Sequence, residues 1–226
     1  MRLSLVAGLV GALLDDTLLR PLRPAGALSA AIASVALNIV IENALRFVFG
    51  NDLRGFDLPL YRDWRLHLGD IVLSVGPQQA IDALCAVVAM AALFAFLGFT
   101  TVGKTMRAVA DNPALAALKG IDARAVARLA SFLGLGLAGF GGMLIGLDTS
   151  ITPLTGFNVM LSVFAAAVVG GLGSIPGAVA GAFVIGIGEE MSVAVLPPAY
   201  RSAVGFAAIV LVLSVRPRGL LGERAY

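Results

Sequence analysis

The chain has 226 residues, 59% hydrophobic and 13% charged, with a mean hydropathy of +0.95. A water-soluble domain of this size covers itself with roughly a quarter charged residues, so that class is excluded. The net charge of +2 comes without a basic patch interleaved with aromatics, which argues against a nucleic-acid partner. One cysteine and one histidine exclude a disulfide framework and a clustered metal site.

Glycine reaches 27 residues and alanine is abundant. Small residues are what close helix packing in lipid requires, because lipid tails supply no hydrophobic force between helices. The expected class is all-α, a polytopic transmembrane helical bundle forming one domain over residues 1–226.

In chain order, the run Leu3 to Leu14 is shorter than the roughly 20 apolar residues of a span and is followed by Asp15-Asp16. A signal peptide is one reading, but Ala12-Leu13-Leu14-Asp15 is a poor small-residue cleavage site. The run reads better as a helix whose beginning is absent, an N-terminal truncation. A basic loop with Arg20 and Arg23 follows, and then a span from Ala27 to Phe49. Its second half carries Asn38, Glu42, Asn43 and Arg46. Residues 50–78 read as a mixed-charge loop holding the single Trp64 and His67, the latter as a surface residue. Ala80 to Thr100 is the next span, with Cys85 a buried, inert thiol. A polar insert, Gly103 to Arg124, precedes the span Val126 to Leu147.

Val159 to Val169 and Ala178 to Gly188 are short apolar runs around "GGLGSIPG" (170–177). Together they form a broken hairpin, either re-entrant or of two short spans. Glu189-Glu190 read as a solvated end at its exit, and Asp82 and Asp148 as interface residues near span ends. Ala199 to Val215 is the last span.

Loop Lys and Arg set the orientation. One side holds Arg20, Arg23, Lys104, Arg107, Lys119, Arg124, Arg216, Arg218 and Arg224; the other holds Arg46, Arg54, Arg62, Arg65 and Arg201. Nine against five places the 103–124 insert and the C-terminus in the cytoplasm, provided the hairpin contributes an even number of crossings.

Within the insert, Asn112-Pro113 is a helix start, since Asn accepts bonds from free amides and Pro suits the first helical position. Gly120 is the left-handed terminator, with Lys119 favourable against the C-terminal dipole. A helix this short needs something to pack against. Packing on its own neighbours and docking into another protein are both open at this point.

Gly173, Gly177 and Gly181 recur every four residues, as do Ala138, Gly142 and Gly146. This spacing serves close packing, or faces that slide with Gly170, Gly171 and Gly173 as the break. Ser174 before Pro176 is a cap for the second half-helix. Asn38 and Glu42 share one helix face, where path-lining and interhelical bonding both fit.

The segment "RAVADNPALAALKGI" (107–121) resembles the cytoplasmic loop of the branched-chain amino acid ABC transporter permease family. "FLGLGLAGFGGMLIG" (132–146), "FAAAVVGGLGSIPGAVAG" (164–181) and "RPRGLLG" (216–222) resemble that family's small-residue helix, glycine-rich hairpin and tail, and "IASVALNIVIENALRFVFG" matches more loosely. The resemblance covers nearly the whole chain, without the family's further N-terminal helices. It implies a coupling helix that seats in a cytoplasmic ATPase, with that role at Arg107, Asp111, Asn112, Pro113, Ala114, Gly120 and Ile121. It also implies a second permease subunit, two ATP-binding subunits and an extracytoplasmic binding protein, with a branched-chain amino acid or similar small amide as substrate, in a bacterial-type inner membrane. No phosphate-binding G-x-x-x-x-G-K-[ST] loop is present, so hydrolysis falls to a partner and neither catalytic residues nor cofactors are expected here. A self-sufficient ion-coupled transporter is the alternative, with Glu42 its one deep carboxylate. A membrane enzyme lacks the necessary nucleophile and base.

Overall fold

The computed structural model describes residues 2–19, 21–22, 26–52, 55, 64–68, 71–148, 151–152, 154–171, 173–193, 197, 200–216 and 219–220. The expectations for the Arg20–Arg23 loop, for residues 56–63, for the side chains of His67 and Asp148, and for the tail beyond Leu220 lie outside them. The described chain is an α-helical membrane bundle. It folds as two compact units, residues 1–152 and 153–226.

In the first unit, α1 (Arg2–Leu14) continues into a π-helical turn (Asp15–Leu19), and α2 spans Ala27–Phe49. A hairpin, β1 (Trp64–Leu68) and β2 (Ile71–Val75), precedes α3 (Pro77–Phe99). Then come α4 (Thr101–Asp111), α5 (Pro113–Leu118) and α6 (Ala123–Asp148). Among the described residues, three helical stretches are long and apolar enough to cross a membrane: Ile32–Phe49, Pro77–Phe99 and Ala123–Leu147.

The main packing of this unit is α1 against α6, antiparallel and glycine-mediated. A methyl group on Gly8 would sit 2.8 Å from the Phe132 carbonyl oxygen, one on Gly11 2.8 Å from Leu135 Cβ, and one on Gly139 2.5 Å from Ala7 Cβ. Small residues here let two backbones approach where lipid offers no driving force of its own. At the C-terminal end of α1 the buried Asp15 accepts from Ser131 Oγ at 2.7 Å, and Asp16 pairs with Arg128 at 3.6 Å. The short first run is thus one side of a helix pair.

The second unit has α7 (Thr155–Gly170), α8 (Ile175–Val193) and α9 (Arg201–Val215). α7 and α8 form the expected hairpin, and α9 packs on both. Ala165, Ala166, Val169 and Ile185 are its buried core, closed by Ala208, Ile209, Val212 and Leu220. The last of these comes from the tail: Leu220 N–H donates to the Val169 carbonyl at 2.8 Å, and Gly219 lies on the Gly171 backbone. The hairpin turn and the chain's tail therefore share one end of this unit.

Part of the segment expected as loop is strand instead: residues 64–68 pair antiparallel with residues 71–75. Alternating apolar residues on either side of a two-residue Gly-Asp link are a strand signal that outweighs the charge of the surrounding segment.

Candidate functional site

The turn from α3 into α4 is tight because of two residues. Thr100 caps α4, its Oγ1 accepting from Gly103 N–H at 2.9 Å and donating to the Phe96 carbonyl at 2.6 Å. Gly103 is buried, and a methyl group there would meet the Phe96 carbonyl oxygen at 2.6 Å. Arg107 Nη2 reaches back to the Gly98 carbonyl at a long 3.4 Å, placing a cation over the C-terminal end of α3. Asp111 ends α4 and is exposed.

α5 is capped at both ends as its sequence suggests. Asn112 Oδ1 accepts from Leu115 N–H at 3.0 Å, with Pro113 in the first helical position. At the other end Gly120 has φ +79°; its N–H donates to the Ala117 carbonyl (2.9 Å) and Ile121 N–H to the Ala116 carbonyl (3.1 Å). That pair of bonds with a left-handed glycine is a Schellman closure, which satisfies carbonyls otherwise left open. Asp122 Oδ1 then accepts from Arg124 N–H at 2.8 Å, starting α6.

The environment of α5 is asymmetric. Ala116 is 4% exposed and is the residue by which the helix seats on its own chain, whereas Leu115 is 55% and Leu118 85% exposed. Asn112, Pro113, Ala114 and Gly120 are also exposed, and Ile121 is half-buried. The loop therefore gathers Asn112, Pro113, Ala114, Leu115 and Leu118 into one outward surface, while Arg107 is turned back toward α3.

Three of the hairpin glycines, Gly170, Gly177 and Gly181, meet directly. A methyl group on Gly170 would strike the Gly177 backbone, and one on Gly181 would lie 2.8 Å from Gly170 Cα and against the Ala166 carbonyl. Gly171 (φ +110°) makes the turn and receives Gly219. Gly173 (φ +98°) has nothing within 4 Å and belongs to the turn, away from the face of Gly177 and Gly181. Gly142 likewise has open space where a methyl group would go. Ser174 Oγ accepts from Gly177 N–H at 3.1 Å, capping α8, and Pro176 lies in its exposed first turn.

On α2, Asn38 and Glu42 are half-buried one turn apart, and Glu42 forms an ion pair with Arg46 a further turn along. On α3, Asp82 accepts from Gln78 Nε2 at 3.1 Å.

Glu189 differs from its sequence reading. It is 8% exposed, and Ser162 Oγ lies 2.8 and 3.1 Å from its two carboxylate oxygens. From α9, Gly205 leaves room for it: a methyl group there would stand 2.9 Å from Oε1. The signal was present in the sequence. Gly177, Gly181, Ile185 and Glu189 are the buried residues of α8 and follow one four-residue stride, so Glu189 belongs to the packed face while Glu190 does not. Among the described residues no group of three or more His, Cys, Asp or Glu could hold a metal ion.

The profile of the family described as "Branched-chain amino acid transport system / permease component" matches residues 2–213. The high-affinity branched-chain amino acid transport system permease protein LivH of Escherichia coli K12 is 34% identical over 98% of this chain and 75% of its own length. The corresponding permease BraD of Pseudomonas aeruginosa is 28% identical over 97% and 72%. A probable branched-chain amino acid transport permease LivH of Methanocaldococcus jannaschii is 31% identical over 63% and 47%. No solved structure matches the chain. With a profile match over nearly its whole length and a bundle of apolar helices to carry it, the chain belongs to the branched-chain amino acid transport permease family.

Proposed function

We propose that this chain is a membrane permease subunit of an ABC importer, with α5 as the helix through which partner ATPases drive it. The observation that carries this reading is the exposed face of α5. A six-residue helix is too short to persist on propensity. This one is held by two caps and a single buried alanine, and it presents Leu115 and Leu118 outward. A preformed apolar pair on a polar loop loses little entropy when a groove closes over it, which favours binding. The Lys and Arg distribution supports a cytoplasmic position for this loop and for the C-terminus.

In this reading the chain pairs with a second permease subunit and two ATP-binding subunits. An extracytoplasmic binding protein delivers branched-chain amino acids or related small amino acids or amides for inward movement. Asn38 and Glu42 face that path or the second permease, and Gly170, Gly177 and Gly181 form the contact that repacks as the path alternates. Purifying the tagged chain gently from its native membrane tests the reading. An ATP-binding subunit is expected to accompany it, and to be lost when Asn112-Pro113-Ala114 is replaced by three glycines. An ATPase retained equally by both forms removes α5 from the coupling role.

The alternative of an ion-coupled secondary transporter gains one observation, the buried carboxylate of Glu189. Uptake that persists after depletion of the ATPase would select it.

A further inference from the structure

The bend between α3 and α4 lies at a membrane boundary. α3 has 23 residues, Pro77–Phe99. At 1.5 Å per residue it is about 35 Å long, slightly more than the roughly 30 Å of a hydrocarbon core, so its last turn comes out among the headgroups. Thr100 is extended (ψ 152°) and breaks the helix there. A methyl group on Gly103 would lie 2.6 Å from Leu97 Cα, so the first turn of α4 is folded against the last turn of α3 rather than continuing its axis.

α4 is two-sided. Val102, Met106 and Val109 recur at helical spacing on one side, and Lys104, Arg107 and Asp111 on the other. Lys104 and Arg107 are exposed and, three residues apart, are neighbours on the helix surface. Asp111 lies at the end of the helix away from the bend. Arg107 Nη2 reaches the Gly98 carbonyl at 3.4 Å, which holds the guanidinium level with the end of the span. The next residue, Phe99, is 87% exposed, and Val102 in the first turn of α4 is 40% exposed. An aromatic ring and a cation pair, at the depth where α3 leaves the hydrocarbon, complement the acyl chain and the phosphate of an anionic phospholipid. Leu115 and Leu118 face outward on α5, whereas the Arg107 head is drawn back to α3. This favours the lipid over a partner ATPase as its counterion.

We propose that Lys104 and Arg107, with Phe99 as apolar anchor, bind the headgroup phosphate of an anionic phospholipid at the bend between α3 and α4. The proposal rests on α3 as a membrane span and not on α5 as the coupling helix. It gives Arg107 a lipid ligand in place of the ATPase contact that the family resemblance implies.

Trp64 is the chain's single tryptophan, so Trp64→Phe with Phe99→Trp places one fluorophore at the bend. The purified chain is reconstituted into equimolar phosphatidylglycerol–phosphatidylcholine vesicles in which one lipid or the other is brominated. Brominated phosphatidylglycerol is expected to quench more strongly, with a local preference on the order of fivefold per cation at low salt. The preference should shrink as salt rises. Lys104→Ala should lower it by about fivefold, and Lys104→Ala with Arg107→Ala should bring it close to parity. Equal quenching by the two lipids in the parent would overturn the proposal, as would a preference that both substitutions leave unchanged. Quenching by neither lipid would mean that protein covers the bend, which also overturns it. Lys104→Ala alone decides the matter if loss of the Arg107–Gly98 contact prevents reconstitution of the double variant.

Discussion

The carboxylate of Glu189 sits among apolar helices because both its oxygens meet one hydroxyl and because α9 presents a glycine where any side chain would collide with it. Removing that hydroxyl leaves a buried polar group short of a partner, which is costlier than losing an exposed bond. Ser162→Ala is therefore expected to lower the stability of the second unit by about 1.5–3 kcal/mol, read as a fall in thermal midpoint in detergent. Combining Ser162→Ala with Glu189→Leu should recover much of that loss, because the unpartnered polar group is gone. A double variant as unstable as the sum of the two singles would show that the pair is not coupled. At this scale the sequence was only partly legible. The cap residues Asn112, Gly120 and Ser174 announce themselves because their backbone roles are local. Glu189 does not, since its partners lie 27 residues before it on α7 and, at Gly205, on the following helix. The neighbouring Glu190 also made the pair look like a solvated end.

Among elements, α5 is the most completely encoded. Its start, its stop and its outward leucines all follow from nine consecutive residues, Asn112 to Gly120. Asn112→Ala removes a cap worth about 1 kcal/mol. Gly120→Ala forces a left-handed alanine at a cost of about 1–2 kcal/mol, although no atom would clash with its methyl group. Both changes are expected to leave insertion of the spans intact and to raise amide exchange across residues 113–119; unchanged exchange would mean that packing through Ala116, rather than the caps, holds the helix. The hairpin of β1 and β2 shows the opposite case. Its alternation was present in the sequence, but the charges of the surrounding 50–78 segment masked a period of two. The pairing of α1 with α6 was hidden for a different reason: Gly8, Gly11 and Gly139 have no common spacing that a single-helix reading can detect.

For the whole molecule, composition gave the membrane class, and the apolar runs gave α2, α3, α6 and the broken hairpin of α7 and α8 within a few residues. The spatial role of the tail was beyond reach, because Leu220 closes the second unit's core through a bond to Val169 some fifty residues earlier. The proposed importer mechanism requires that motion made outside the membrane enter through a defined contact, and the proposal assigns that contact to the exposed face of α5. Since Cys85 is the single cysteine, a Cys85→Ser background allows a cross-linking thiol to be placed at Leu118 and, as a control, at the exposed Val184 of α8. In native membranes, a short bifunctional reagent at position 118 should yield an adduct with an ATP-binding subunit, and the same reagent at position 184 should not. No such adduct at 118, or equal adducts at both positions, would contradict the assignment of α5 as the coupling helix.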